Sequence, residues 1–132
     1  MVMAYVADTH SLIWYATDSP KLSAKAKKIF QKVDNMQESI FIPCIVFFEL
    51  VYIIEKKRLA IDFDGFLRMV MVSKNYKIEP LCLPIIEESR RIPRERVSDP
   101  WDRLIAATAI HLDLPLITRD ESLKRIGLKT IW

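Results

Sequence analysis

A chain of 132 residues, 51% apolar and 28% charged, has the length of one typical domain and the composition of a globular rather than a disordered protein. Its net charge of +3 permits contact with nucleic acid without demanding it. The two glycines, Gly65 and Gly127, stand alone, so no glycine-rich loop cradles a pyrophosphate, which weighs against dehydrogenases, kinases and P-loop enzymes.

In chain order, Met3 to Ala7 is a short apolar run ending at Asp8, which suits a buried strand, and Thr9 to Ala16 reads as a short helix. After the break at Ser19-Pro20, the spacing of Leu22, Ala26, Ile29, Phe30 and Val33 predicts an amphipathic helix. Ser39 to Ile42 is a second strand closed by Pro43. Helices are expected over Ile45 to Lys57 and Phe63 to Val72, and a third strand over Ile78 to Leu83, ended by Pro84. Ile85 to Arg91 reads as another short helix. Asp99-Pro100 is a strong helix start, with a capping acid before a proline at the first helical position, and the helix runs to about Leu112. Pro115 to Thr118 is a fourth strand, Glu121 to Ile126 a short helix stopped by Gly127, and Lys129 to Trp132 a final strand. Strands alternating with helices predict a single α/β domain over residues 1–132, with a mostly parallel sheet covered on both faces.

Met1 to Val6 lacks the basic start of a signal peptide, and the longest apolar stretch, Ile40 to Ile54, contains Pro43 and Glu49 and is too short for a membrane span. Cys44 and Cys82, both in apolar surroundings, are expected as buried thiols in a reducing cytoplasm.

Ligands of open parallel sheets bind beyond the carboxyl ends of the strands, where the strand order reverses. Asp8 directly follows the first strand, Asp120 lies two residues past the end of the fourth, Asp102 sits in the first turn of the helix at Pro100, and Glu49 lies early in the helix after strand two. These four acids are therefore expected on one rim. Each also has a structural reading: Asp8, Asp99, Asp102 and Asp120 all stand near helix N-termini, where carboxylates cap free N–H groups. For Asp99 capping is the preferred reading. Glu49 interrupts an apolar helix, where an ionised carboxylate is costly unless it is paired, with Arg103 for example, or binds a cation. Clustered carboxylates without His or Cys partners suit Mg²⁺ or Mn²⁺, ions able to polarise a phosphate and lower the pKa of water.

The stretches Val6-Ala7-Asp8-Thr9-His10-Ser11-Leu12-Ile13-Trp14, Phe47-Phe48-Glu49-Leu50, Ser98-Asp99-Pro100-Trp101-Asp102-Arg103-Leu104-Ile105-Ala106-Ala107 and Leu116-Ile117-Thr118-Arg119-Asp120 resemble, in order, the motifs of PIN-domain ribonucleases, and above all the VapC toxins of prokaryotic toxin–antitoxin pairs. The resemblance spans essentially the whole chain. It implies a three-layer α/β/α sandwich with four to five strands and a Mg²⁺- or Mn²⁺-dependent endoribonuclease restrained by a cognate antitoxin. It makes Asp8 and Asp102 metal ligands, Glu49 and Asp120 the completion of the acidic pocket, and Thr9, Thr118 and Asp99 supporting residues. Water activated at the metal would then attack the phosphodiester in line, leaving a 5′-phosphate and a 3′-hydroxyl. His10 is expected to position a neighbour, and His111 to lie on a helix surface.

Two basic runs are candidate RNA contacts: Lys56-Lys57-Arg58, and Arg90, Arg91, Arg94 and Arg96 ahead of the catalytic helix. Trp14, Tyr15, Phe47 and Tyr52 are candidate stacking surfaces, with core packing the simpler reading of Trp14 and Phe47. The apolar run around Phe63, Phe66, Met69, Val70, Met71 and Val72 has more than one face to bury, against a second copy in a homodimer, an antitoxin helix or a denser core. The competing functional reading is a non-catalytic PIN-like module that binds RNA or protein. A haloacid-dehalogenase phosphatase fits poorly because His10 occupies its second acidic position, and a receiver domain lacks the paired acids it needs.

Overall fold

A computed structural model describes residues 3–57 and 59–132; Met1, Val2 and Arg58, the last member of the first basic run, lie outside the described residues. Five strands, β1 (Ala4–Ala7), β2 (Ser39–Pro43), β3 (Tyr76–Glu79), β4 (Leu116–Ile117) and β5 (Thr130–Ile131), form one sheet in the order β3-β2-β1-β4-β5. Every pairing is parallel. Consecutive residues of β1, Tyr5, Val6 and Ala7, are all buried, and so are Ile40 and Ile42 of β2 with Phe41 packed against the core. A strand buried on both faces is covered on both, which makes the architecture a three-layer α/β/α sandwich.

The helices are α1 (Thr9–Ala16), α2 (Ala24–Asp34), α3 (Cys44–Lys57), α4 (Phe63–Val72), α5 (Leu83–Ser89) and α6 (Pro100–Leu112), with a 3-10 turn over Glu121–Ile126. Their starts follow local chemistry. Ser23 caps α2 by accepting the Ala26 N–H, Asp62 caps α4 through Gly65, and Gly127 ends the 3-10 turn at a φ of 82°, a left-handed backbone that favours glycine. Ile85 of α5 and Ile105 of α6 are buried between the helices and the sheet, each contributing on the order of 1.5–3 kcal/mol of apolar burial.

Three expectations are corrected. The third strand is Tyr76–Glu79, not Ile78 to Leu83: it stops before Pro80, which has no N–H to donate, and Leu83-Pro84 opens α5 because proline suits a first helical turn. The α2 helix begins at Ala24, leaving Leu22 as a buried residue of the preceding turn. Cys44 is exposed rather than buried, since it shares with Phe48, Tyr52 and Lys56 a stripe at four-residue spacing on the outer face of α3; Cys82 is half-buried, and both thiols are free. On α4 only Val70 is buried, and Met71 and Val72 are 71% and 83% exposed. No helix among the described residues is long and apolar enough to cross a membrane.

Candidate active site

The sheet order reverses between β1 and β4, where Val6 pairs with Leu116 and Ala7 with Ile117. The chain therefore leaves two neighbouring strand ends side by side, at Asp8 and at Thr118. Asp8 caps α1 by accepting the Ser11 N–H at 2.9 Å, and the Ser11 hydroxyl donates to the Ile117 carbonyl at 3.2 Å, tying the two strand ends together. On the β4 side the buried Thr118 hydroxyl accepts the Asp120 N–H at 3.1 Å, and Asp120 in turn accepts the backbone N–H and the hydroxyl of Ser122.

Two helices close the rim. Asp99 caps α6, accepting the N–H groups of Trp101 and Asp102 at 2.8 and 3.1 Å, which fixes the first turn and the position of Asp102 on it. Glu49 projects from α3 and accepts the hydroxyl of Thr9, a residue only 2% exposed. Arg103 does not pair with Glu49. Its guanidinium donates to the carbonyls of Ser89, the last residue of α5, and of Ile92 just past it.

Asp8, Glu49, Asp99, Asp102 and Asp120 together line one cavity of about 300 Å³. None of the five, among the described residues, has a cationic side chain within ion-pairing distance. Asp102 shows the consequence: burial, and then the charges of Asp99, Glu49, Asp120 and Asp8, push its carboxyl up from 3.8 to about 7. Capping and clustering are thus compatible, because the helix starts that need acids all meet at one rim.

The sequence reading missed Arg119 and Ser11. Arg119 stands in the motif between Thr118 and Asp120; it lines the cavity, and its guanidinium lies 5.8 Å from the Trp14 ring. Trp14 packs against His10 and Trp132, with ring centroids 5.6 and 5.7 Å apart, so it is a half-buried wall of the site. Tyr15 stacks on Phe30 and donates its hydroxyl to Asp34, and Phe47 is buried, so neither offers a free stacking face. His111 is exposed, as expected.

None of the four arginines lines the acidic cavity. Arg90 and Arg91 pair with Glu87 and Glu88, Arg94 is exposed, and Arg91 and Arg96 line a different cavity, beside Ile110 near the far end of α6.

Comparison with known proteins agrees with this fold. The family model described as PIN domain matches residues 5–129. Ribonuclease VapC22 from Mycobacterium tuberculosis is 24% identical over 117 residues, covering 89% of this chain and 87% of that protein. The crystal structure of VapBC2 from Rickettsia felis, bound to a DNA fragment from their promoter, superposes with a TM-score of 0.71 at 19% identity over 98% of this chain and 99% of that one. That of Mycobacterium tuberculosis VapC20, a sarcin-ricin loop cleaving toxin, superposes with a TM-score of 0.66 at 14% identity, covering 94% and 95%.

Proposed function

The chain belongs to the PIN-domain family, and on that premise we propose that it is a divalent-metal-dependent endoribonuclease, the toxin of a toxin–antitoxin pair. The observation that carries the reading is the convergence of Asp8, Glu49, Asp102 and Asp120, with Asp99, on one cavity without a paired cation. The donor set fits the ion. Carboxylate oxygens are the ligands that Mg²⁺ and Mn²⁺ prefer, and a cation among them would offset the burial and the repulsion that raise Asp102. No three of these groups, among the described residues, stand together as a ready-made cage, so water would complete the shell of an ion held by two of them.

Asp8 and Asp102 would hold the ion, with Glu49 and Asp120 completing the negative wall. When bound, the cation supplies Lewis-acid polarisation of a phosphate oxygen and water of lowered pKa. The protein's own part is positioning. Thr9 fixes Glu49, Ser11 fixes the Asp8 turn, Thr118 fixes Asp120, and Asp99 fixes the turn that carries Asp102. Arg119 brings a positive charge to the cavity, placed to meet a phosphate of the substrate. In-line attack by water leaves a 5′-phosphate and a 3′-hydroxyl, and the site holds no His pair to drive attack by the 2′-hydroxyl. The complete acidic set disfavours a non-catalytic module.

A protein partner is supported by the relatives, several of which are toxin–antitoxin complexes, and by the exposed apolar residues of α4. An antitoxin helix or a second copy of the chain would cover them.

The test is to incubate purified protein with total cellular RNA in Mg²⁺, Mn²⁺ or chelator and to map the new 5′ ends. The expected outcome is discrete cuts bearing 5′-phosphates, lost in chelator and reduced at least about 100-fold in Asp8→Asn. Cleavage that survives chelation rules out the metal mechanism.

A further inference from the structure

A second cavity, of about 250 Å³, opens beside the acidic one and shares His10, Glu49 and Asp99 with it. Its remaining wall is of opposite character: Tyr52, Ile53, Lys56 and Lys57 from α3, and Trp101 from the first turn of α6. The α3 contribution follows from helical spacing. Glu49, Tyr52, Ile53 and Lys56 fall at i, i+3, i+4 and i+7, so one helix face runs from an acid of the first cavity to a lysine about 10 Å away. Tyr52 is 50% exposed, and the Lys56 ammonium lies 5.7 Å from its ring centroid. Trp101 is half-buried and meets Phe48, itself 60% exposed, edge-on at 5.3 Å. Neither Lys56 nor Lys57 is paired with a carboxylate among the described residues.

A polyanion meets a difficulty at the first cavity, whose five carboxylates repel its phosphates on either side of the one being cut. Attraction has to come from alongside, and the Tyr52–Lys57 face provides it next to the acids. We propose that this second cavity is the subsite holding the single-stranded RNA that flanks the scissile phosphate, an assignment that rests on the nuclease reading above. Lys56 and Lys57 take successive phosphates. Tyr52, uncovered as Lys56 moves from its ring to a phosphate, offers a face for a base to stack on in the cavity that Trp101 also lines. Single strands are selected because only unpaired bases can turn into such a slot.

The test is fluorescence anisotropy of a labelled, unstructured oligoribonucleotide, titrated with salt, using Asp8→Asn protein so that the probe stays intact. Lys56→Gln with Lys57→Gln should weaken binding about tenfold at low salt and reduce the slope of log affinity against log salt by about 1.4, at about 0.7 for each phosphate left without its lysine. Tyr52→Leu, which keeps an apolar side chain and removes the stacking face, should weaken binding at least about fivefold and leave the slope unchanged. Lys25→Gln with Lys28→Gln on α2 serves as the control and should change neither. Wild-type affinity and slope in the α3 variants overturn the proposal. So does equal binding of poly-glutamate, which would reassign the groove to an acidic polypeptide, or of a fully paired duplex. Cleavage is followed in parallel on the otherwise wild-type background. A raised KM with kcat unchanged in the lysine variants supports the subsite. Absence of any metal-dependent cleavage by the wild type, with the slope change intact, overturns the nuclease reading alone.

Discussion

Asp102 concentrates the energetics of the site in one carboxyl. Its value in the folded chain, about 7, stands above its ordinary 3.8 because burial and four neighbouring acids disfavour its charge. Below about pH 4 the group is protonated in both folded and unfolded chains and contributes nothing to pH dependence. Between 4 and 7 the unfolded chain releases the proton while the folded one keeps it. The folded state then binds more protons, and stability falls as pH rises through that window. In chelator, the melting temperature of the wild type should therefore decline from pH 5 to 7.5 relative to Asp102→Asn, which has no proton to lose. Adding Mg²⁺ at pH 7.5 should raise the wild type more than the variant. Parallel pH profiles for the two proteins would contradict this account of the residue. The position of Asp102 was legible because Asp99-Pro100 fixes where α6 starts, so the acid three residues later had to lie in its first turn. The acids around it were expected from their places at the strand ends, but helical spacing could not tell that Glu49 would meet Thr9 rather than Arg103, since both lie distant in sequence.

At the scale of elements, Arg103 shows why. It leaves Glu49 alone and clasps α6 to the end of α5 through the Ser89 and Ile92 carbonyls at 2.8 and 3.1 Å. Hydrogen bonds from a charged donor to part-buried carbonyls such as these are worth about 1.5–3 kcal/mol, so Arg103→Leu should lower the unfolding free energy by about that much in urea titration. Retained stability would mean that the clasp is ornamental. Elements with strong local signals emerged within a residue or two of their expected limits, among them α1, α4 and α6. The third strand did not. Ile78 and Leu81 to Leu83 form an apolar run whose composition suits a strand, yet Pro80 cannot join the ladder and Pro84 favours a helix start, so local backbone chemistry overrode hydrophobic content. The exposed apolar residues of α4 were read as having a second surface to bury, and within this chain they remain uncovered.

For the whole molecule, the decisive feature is the single reversal of strand order between β1 and β4. It sets the ends of two distant segments side by side, and α3 and α6 bring in two more. Alternation of strands and helices made the sheet foreseeable, and the rule that ligands gather at such a reversal made the rim foreseeable. The neighbouring Tyr52–Lys57 slot was foreseeable only as a run of charge and an aromatic, because a cavity depends on how α6 leans against α3. The central claim is that acids from four segments act as one cation-binding unit. Calorimetric titration of Mn²⁺ into the wild type, Asp8→Asn and Asp102→Asn measures this directly. A saturable heat for the wild type, with affinity at least about tenfold weaker in each variant, is the predicted result. No heat beyond dilution in the wild type, or equal affinities in all three, would contradict it.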